Sequence, residues 1–261
     1  MDNFVSFPLR YGGWAISEDI LYDVLQFCLL KEPKVVLDLG SGTSTIVLGE
    51  YAKRMKRKGV DVKIISVDSN KEWLEDTKSL LIKIHSEDHV KLVYAPIVQT
   101  KHGHYYDPEK IIEILEEKIE CIVVDGPPGS TQEQARYPVM PFFENMISKD
   151  GVIFLDDGKR KDEKEIVERW LENFPEWKSE YRKYMKGGFI LYRKEADMEK
   201  YVIANHNSEI AELHTFSKME KQTEKVKDLE RKLMGRDQEI AKMKKSKFWR
   251  LREQYLRCKK A

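Results

Sequence analysis

Cysteine is scarce in this sequence. Cys28, Cys121 and Cys258 are odd in number and far apart in a chain of 261 residues. Their spacing excludes a disulfide framework and a zinc-ligand pattern and points to a reducing compartment. Long apolar runs are missing as well: none approaches the roughly 20 residues of a membrane span. The N-terminal MDNFVSFPLRYGG carries no apolar stretch of signal-peptide length. A cytoplasmic protein is the expectation. Net charge is close to zero, with 46 Lys and Arg against 45 Asp and Glu. Beyond Arg193, proline and glycine almost vanish, Gly235 being the only residue of either kind.

The balanced charge hides an asymmetry. Residues 241–261 hold nine Lys or Arg and one acid, Glu253. The tail is therefore strongly basic and the rest of the chain acidic, which suits an anionic partner or surface for the tail alone. Hydrophobic residues make up 41% of the sequence, enough for one sizeable core plus an appendage.

Up to Lys194, short apolar runs alternate with amphipathic segments. Strands are expected at Lys34–Leu39, Lys63–Val67, Val90–Tyr94, Cys121–Asp125, Val152–Leu155, Lys178–Lys183 and Phe189–Arg193. A helix is expected between Gly12-Gly13 and Pro33, and others at Thr43–Arg57, Lys71–His85, Pro108–Lys118, Gln132–Ile147 and Lys161–Asn173. Such alternation, with near-continuous apolar strands, predicts an α/β fold: a doubly wound, mainly parallel, seven-stranded Rossmann-like sheet ending in an antiparallel hairpin. In such sheets, ligands bind outside the carboxyl ends of the strands. Asp38, Asp68, Asp125, Asp156 and Asp157 would then share one rim.

The stretch VVLDLGSGTSTIVLGE, Val35–Glu50, places a glycine turn between the first strand and a helix. Glycines there allow a ligand close to the backbone, and a helix N-terminus offers N–H groups. The dinucleotide fingerprint wants a third small residue where Thr45 stands, and has no acid at Asp38. A carboxylate at Asp38 suits a ligand bearing a cationic amine. Asp68, ending the second strand before Ser69-Asn70, can accept hydrogen bonds from vicinal ribose hydroxyls; it also suits a turn leading into a capped helix.

VVLDLGSGTST resembles motif I of the class I S-adenosylmethionine-dependent methyltransferases. GGWAIS at 12–17, SVD at 66–68, YAPI at 94–97, VVDGPPG at 123–129, ARYPVMP at 135–141 and IFLDDGKR at 153–160 follow in the order of a bacterial subgroup. That subgroup resembles O-methyltransferases of sugars and surface polysaccharides, and the likeness covers Gly12 to Arg193. The resemblance implies that Asp38, Gly40, Gly42 and Thr45 face the methionine part of the cofactor. Asp68 and Ser69 would serve the ribose, Ala95 and Pro96 the adenine, and Trp14 and Ser17 would close over the cofactor, with Asp125 bordering it. A non-catalytic scaffold on the same fold and an NAD-dependent enzyme are the competing classes.

Methyl transfer to an alcohol needs the acceptor aligned and its proton removed. Asp125, Asp156 and Asp157 offer hard oxygen ligands for Mg²⁺ or a similar cation, as in the catechol-type and macrolide-sugar O-methyltransferases they resemble. Lys159 and Arg160 are alternative sources of neutralisation. The other device is a base. KHGHYYD, Lys101–Asp107, carries His102 and His104 on an expected long loop, with Tyr105 and Tyr106 as candidates to line a sugar pocket. The catalytic candidates are thus Asp125, Asp156 and His104. Arg136 and Tyr137 either reach the acceptor or start the next helix.

Three regions follow: residues 1–194 as a methyltransferase domain, 195–245 as a helical segment and 246–261 as a basic amphipathic tail. Met219, Val226, Leu233 and Ile240 recur at heptad spacing, which predicts a coiled coil and a homo-oligomer. KSKFWRLREQYLRCKK interleaves aromatics with cations, which suits peripheral contact with an anionic membrane. No nucleic-acid partner is expected.

Overall fold

The computed structural model describes Phe4, Val5, Leu9 and residues 15–196. Gly12, Gly13, Trp14, the heptad segment and the basic tail lie outside the described residues. Among the described residues, no helix is long and apolar enough to cross a membrane.

The chain alternates strands and helices as its hydrophobic periodicity requires. Helix α1 (Glu18–Lys31) precedes β1 (Val35–Leu39), α2 (Thr43–Arg57), β2 (Lys63–Asp68), α3 (Lys71–Lys83) and β3 (Val90–Tyr94). Then come β4 (Ile97–Thr100), β5 (Gly103–Tyr106), α4 (Pro108–Ile112), β6 (Ile119–Val124), α5 (Val139–Phe143) and β7 (Ile147–Asp156). Helix α6 (Lys161–Asn173) leads to β8 (Trp177–Arg182) and β9 (Gly188–Arg193). Seven strands form one sheet in the order β3-β2-β1-β6-β7-β9-β8. The β1, β2, β3, β6 and β7 pairings are parallel, and β9 runs antiparallel to both β7 and β8. The expected sheet and its terminal hairpin are both present.

The central strands are buried on both faces, and successive residues serve different cores. Val36, Ile64, Cys121, Val123, Val152 and Phe154 pack with α1 and α2. Leu37, Leu39, Ile65, Ile122, Val124, Ile153 and Leu155 pack on the other side with α5 and α6. Each fully buried Val, Leu or Ile contributes on the order of 1.5–3 kcal/mol of transfer free energy. Helix α1 begins with Glu18 and Asp19 in its first turn, ends on Lys31 and stops at Glu32, which takes a left-handed conformation before Pro33.

Three expectations change. The helix expected over Gln132–Ile147 contracts to Val139–Phe143 and one 3₁₀ turn. Gln134 has a positive φ of 52°, and Pro138 both lacks an N–H and restrains Tyr137 from the helical region. The helix over Pro108–Lys118 ends at Ile112, and β6 starts at Ile119 rather than Cys121. The expected long loop over Lys101–Asp107 contains β5, which pairs antiparallel with β4 from Ile97↔Tyr106 to Thr100↔Gly103. Gly103, at φ +101°, permits the tight return.

Candidate functional site

Parallel strands bring their carboxyl ends to one rim, and β1 is the strand at which the order reverses. β2 and β3 lie to one side of it, β6 and β7 to the other, so a crevice opens beyond Leu39. Asp38, Asp68, Asp125, Asp156 and Asp157 all occupy this end of the sheet, as the strand pattern predicts.

The glycine turn is held from beneath. Gly40 has φ +110°, and a Cβ there would lie 2.9 Å from the Gly126 backbone nitrogen. Two chain segments thus touch where only glycine fits. The N–H groups of the turn itself are used internally. Gly40 N–H bonds the Val67 carbonyl (2.9 Å), Ser41 N–H the Asp68 carboxylate (3.2 Å), and Gly42 N–H the Thr45 hydroxyl (2.9 Å). Thr45 is fully buried and donates in turn to Asp38 Oδ2 at 2.7 Å. Its role here is to brace the turn.

Strand register explains the rest of this network. Asp38 lies directly beside Ser66, whose hydroxyl donates to Asp38 Oδ2 at 3.0 Å and lies 2.7 Å from the Ser41 hydroxyl. Asp38 is wholly buried. Burial pushes its carboxyl up to about 6 against the opposing hydroxyls of Thr45, Ser44 and Ser66. Its Oδ1 makes no well-formed hydrogen bond. Asp68 ends β2 half-buried, with Oδ1 accepting from Asn70 N–H at 2.8 Å. Burial raises its carboxyl too, opposed by the N–H groups of Asn70, Ser41 and Ser69. Asn70 caps α3 through Trp73 N–H, and the Trp73 indole, itself bonded to the Ser41 carbonyl, covers Gly42. Ala95 is buried after β3, its N–H on the Asp68 carbonyl at 3.0 Å.

At the other end of the rim, Asp125, Asp156 and Asp157 come together, each offering a carboxylate oxygen within 4.8 Å of the others. Sequence reasoning anticipated this trio and, among its cations, Arg160 but neither Arg136 nor Lys186. Arg136, from the segment expected to be helical, is buried among them. It donates to the Asp156 carbonyl at 3.0 Å, to the Asp125 carbonyl, and to Asp157 Oδ2 at 2.8 Å, with Asp125 Oδ1 at 3.4 Å and Glu163 Oε1 at 3.5 Å. Arg160 lies 3.0 Å from Asp157, while Lys186 lies 3.6 Å from Asp156 and 3.8 Å from Asp157. Arg160 was anticipated; Lys159 instead bonds the Met185 carbonyl. Asp156 is fully buried and accepts from both the N–H and the hydroxyl of Ser17, at 3.3 and 3.2 Å. Ser17 therefore fastens the start of α1 to the rim. Burial pushes the Asp125 carboxyl up to about 7, with Arg136 opposing and Asp156 and Asp157 reinforcing the rise.

A divalent ion fits this rim poorly. The oxygens that it needs face cations already in place, and a guanidinium nitrogen bridges two of the three carboxylates. Unit like charges 4 Å apart repel by about 4 kcal/mol at an effective dielectric of 20, and a doubly charged ion would meet twice that.

The tyrosines are also a correction. Tyr105 and Tyr106 are fully buried, so neither lines an open sugar pocket. Tyr105 stacks on Phe142 at 6.0 Å and its hydroxyl has no partner. Tyr106 lies against Gly126, where a Cβ would come within 2.2 Å of its hydroxyl oxygen. His104 is exposed on β5, its backbone N–H on Gln132 at 2.7 Å. His102 packs edge-on to Phe142 at 5.2 Å; partial burial, then Lys101 and Arg169, lower its basicity. The sequence marked Arg136 only through the ARYP motif, as a residue that reaches the acceptor or starts a helix. No comparable sign marks Lys186.

No protein family matches the sequence, and no curated protein does. Solved structures do match. An O-methyltransferase from Bacillus cereus in complex with SAH superposes with a TM-score of 0.53 at 14% identity, over 70% of this chain and 84% of that one. A cofactor-bound protein from MTB gives 0.52 at 17% identity, over 72% and 85%. A methyltransferase from Geobacter sulfurreducens gives 0.50 at 12% identity, over 69% and 80%. Strand order, the antiparallel β9 and these superpositions agree: the chain has the Rossmann-like methyltransferase fold.

Proposed function

We propose that the protein is an S-adenosylmethionine-dependent O-methyltransferase that methylates a sugar hydroxyl in bacterial glycan synthesis. The observation that carries the cofactor assignment is Asp68. Its half-buried carboxylate ends β2 beside the Gly40–Gly42 turn, at the crevice where the strand order reverses. The Bacillus cereus structure with SAH supports the same reading. The residues present fit the donor. The lone pairs of Asp68 not taken by Ser41 and Asn70 would accept from the ribose hydroxyls. Asp38, with Oδ1 unpartnered beneath the turn, supplies negative potential toward an ammonium and a sulfonium. The resemblance of the motifs would put Ala95 and Pro96 near the adenine.

Bound there, the donor would supply a methyl group on a cationic sulfur, open to in-line displacement by the acceptor oxygen. The chain's share is alignment, exclusion of water and removal of the hydroxyl proton. Asp125 is the base that the geometry favours. It is the part-exposed member of the acid trio, its carboxyl is pushed up to about 7, and it follows the strand next to β1. The preference for a sugar acceptor and for glycan synthesis rests on the resemblance of the motifs. Self-association and membrane contact through residues 195–261 belong to the same proposal.

Calorimetric titration with S-adenosylhomocysteine tests the assignment. Micromolar binding is expected, and Asp68→Ala should weaken it by about tenfold or more, the equivalent of about 1.4 kcal/mol. An unchanged affinity in a folded variant would remove the ribose assignment.

A further inference from the structure

The chemistry of the rim turns on which cation sits in it. Four carboxylates, Asp125, Asp156, Asp157 and Glu163, face three cationic side chains, Arg136, Arg160 and Lys186. The cluster is balanced to within one charge by the chain's own groups. Arg136 is the most buried of the three cations, with 4% of its side chain exposed, against 49% for Arg160 and 21% for Lys186.

Its contacts also differ in kind from those of a metal ion. A guanidinium is a flat fork of donors that is always charged. Here Nη1 donates to the Asp156 carbonyl, and Nη2 donates to the Asp125 carbonyl and Asp157 Oδ2. One side chain thereby joins the ends of β6 and β7 and holds the two carboxylates that follow them. An ion would offer no hydrogens to those carbonyls. Asp156, the third member, accepts from Ser17 on both oxygens, with Lys186 3.6 Å from one of them.

We propose that Arg136 is the resident cation of this rim, a positioning residue that stands between Asp125 and Asp157, and that the rim takes no divalent metal. The arginine fixes Asp125 at the acceptor side without an ion, so methyl transfer proceeds in the presence of a chelator. The proposal rests on the methyltransferase reading only for the reaction; the cation itself is argued from the rim.

Manganese is the probe, since the paramagnetic resonance signal of free Mn²⁺ reports binding without any turnover. The full chain is titrated with Mn²⁺, and the same preparation with S-adenosylhomocysteine, so the two readings fail separately. Wild type should bind no stoichiometric Mn²⁺ into the millimolar range. Arg136→Gln, folded by circular dichroism, should bind one Mn²⁺ per chain, tighter than wild type by about tenfold or more, and adding Asp157→Asn should abolish that site. One Mn²⁺ bound by wild type and lost in Asp157→Asn would overturn the proposal. So would a folded Arg136→Gln that gains no site. If Arg136→Gln does not fold, the wild-type titration alone decides between the two outcomes.

Discussion

Asp38 shows how a buried carboxylate ties stability to pH. Its carboxyl is wholly buried and raised to about 6 in the native protein, from an ordinary value of 3.8. Between those values the native state binds more protons than the unfolded chain. Stability is therefore highest below pH 4 on this account and falls as pH rises through 6, after which the contribution is flat. A shift of about two units corresponds to about 3 kcal/mol. Asp68, Asp125, Asp156 and Glu163 are raised as well and act in the same direction, so the difference between variants is the quantity to measure. Urea unfolding of wild type and Asp38→Asn across pH 4–7 should show the variant losing less stability than wild type. Parallel curves would mean that Asp38 is not the titrating group.

At the scale of the element, the β4–β5 hairpin is the feature that separates the structure from the strand–helix pattern of the sequence. Its two adjacent tyrosines follow exposed His104 and anchor the hairpin over the carboxyl end of the sheet, Tyr106 beside Gly126 and Tyr105 against Phe142. The Tyr105 hydroxyl is buried with no partner, and an unsatisfied buried polar group costs about 1–3 kcal/mol. Removing it keeps the ring and the packing. Tyr105→Phe should leave stability unchanged or raise it by up to about 2 kcal/mol, as read from the urea midpoint at constant slope. A loss of about 1 kcal/mol or more would reveal a partner for that hydroxyl.

At the scale of the whole molecule, the two apolar clusters of the described residues are built on the two faces of the seven-stranded sheet. Contacts divide the chain after Tyr201. A protein ending at Tyr201 should therefore unfold in one cooperative transition and bind S-adenosylhomocysteine as the full chain does. Loss of either would show that the core or the site draws on residues 202–261.

The sequence alone was sufficient for the sheet, its terminal hairpin and the rim of acids. Those features follow from short-range periodicity, which a linear chain displays directly: apolar runs that mark strands, an amphipathic repeat that marks helices, and a carboxylate at or beside the ends of β1, β2, β6 and β7. It was sufficient too for the positions of Asp68 and of the glycine turn, since both sit at fixed offsets from β1 and β2. The occupancy of those groups was a tertiary matter. Thr45 became a brace because the strand register puts Ser66 beside Asp38. The tyrosines of KHGHYYD were buried because a hairpin folded there. Arg136 entered the acid trio because Gln134 and Pro138 broke a segment whose composition reads as helix. A buried cation is stable only among acids that neutralise it, and those acids reach Arg136 from Asp125, Asp157 and Glu163, up to 27 positions away in the chain. Spacing along a sequence carries no record of such a meeting; the parallel packing of β6 and β7 creates it.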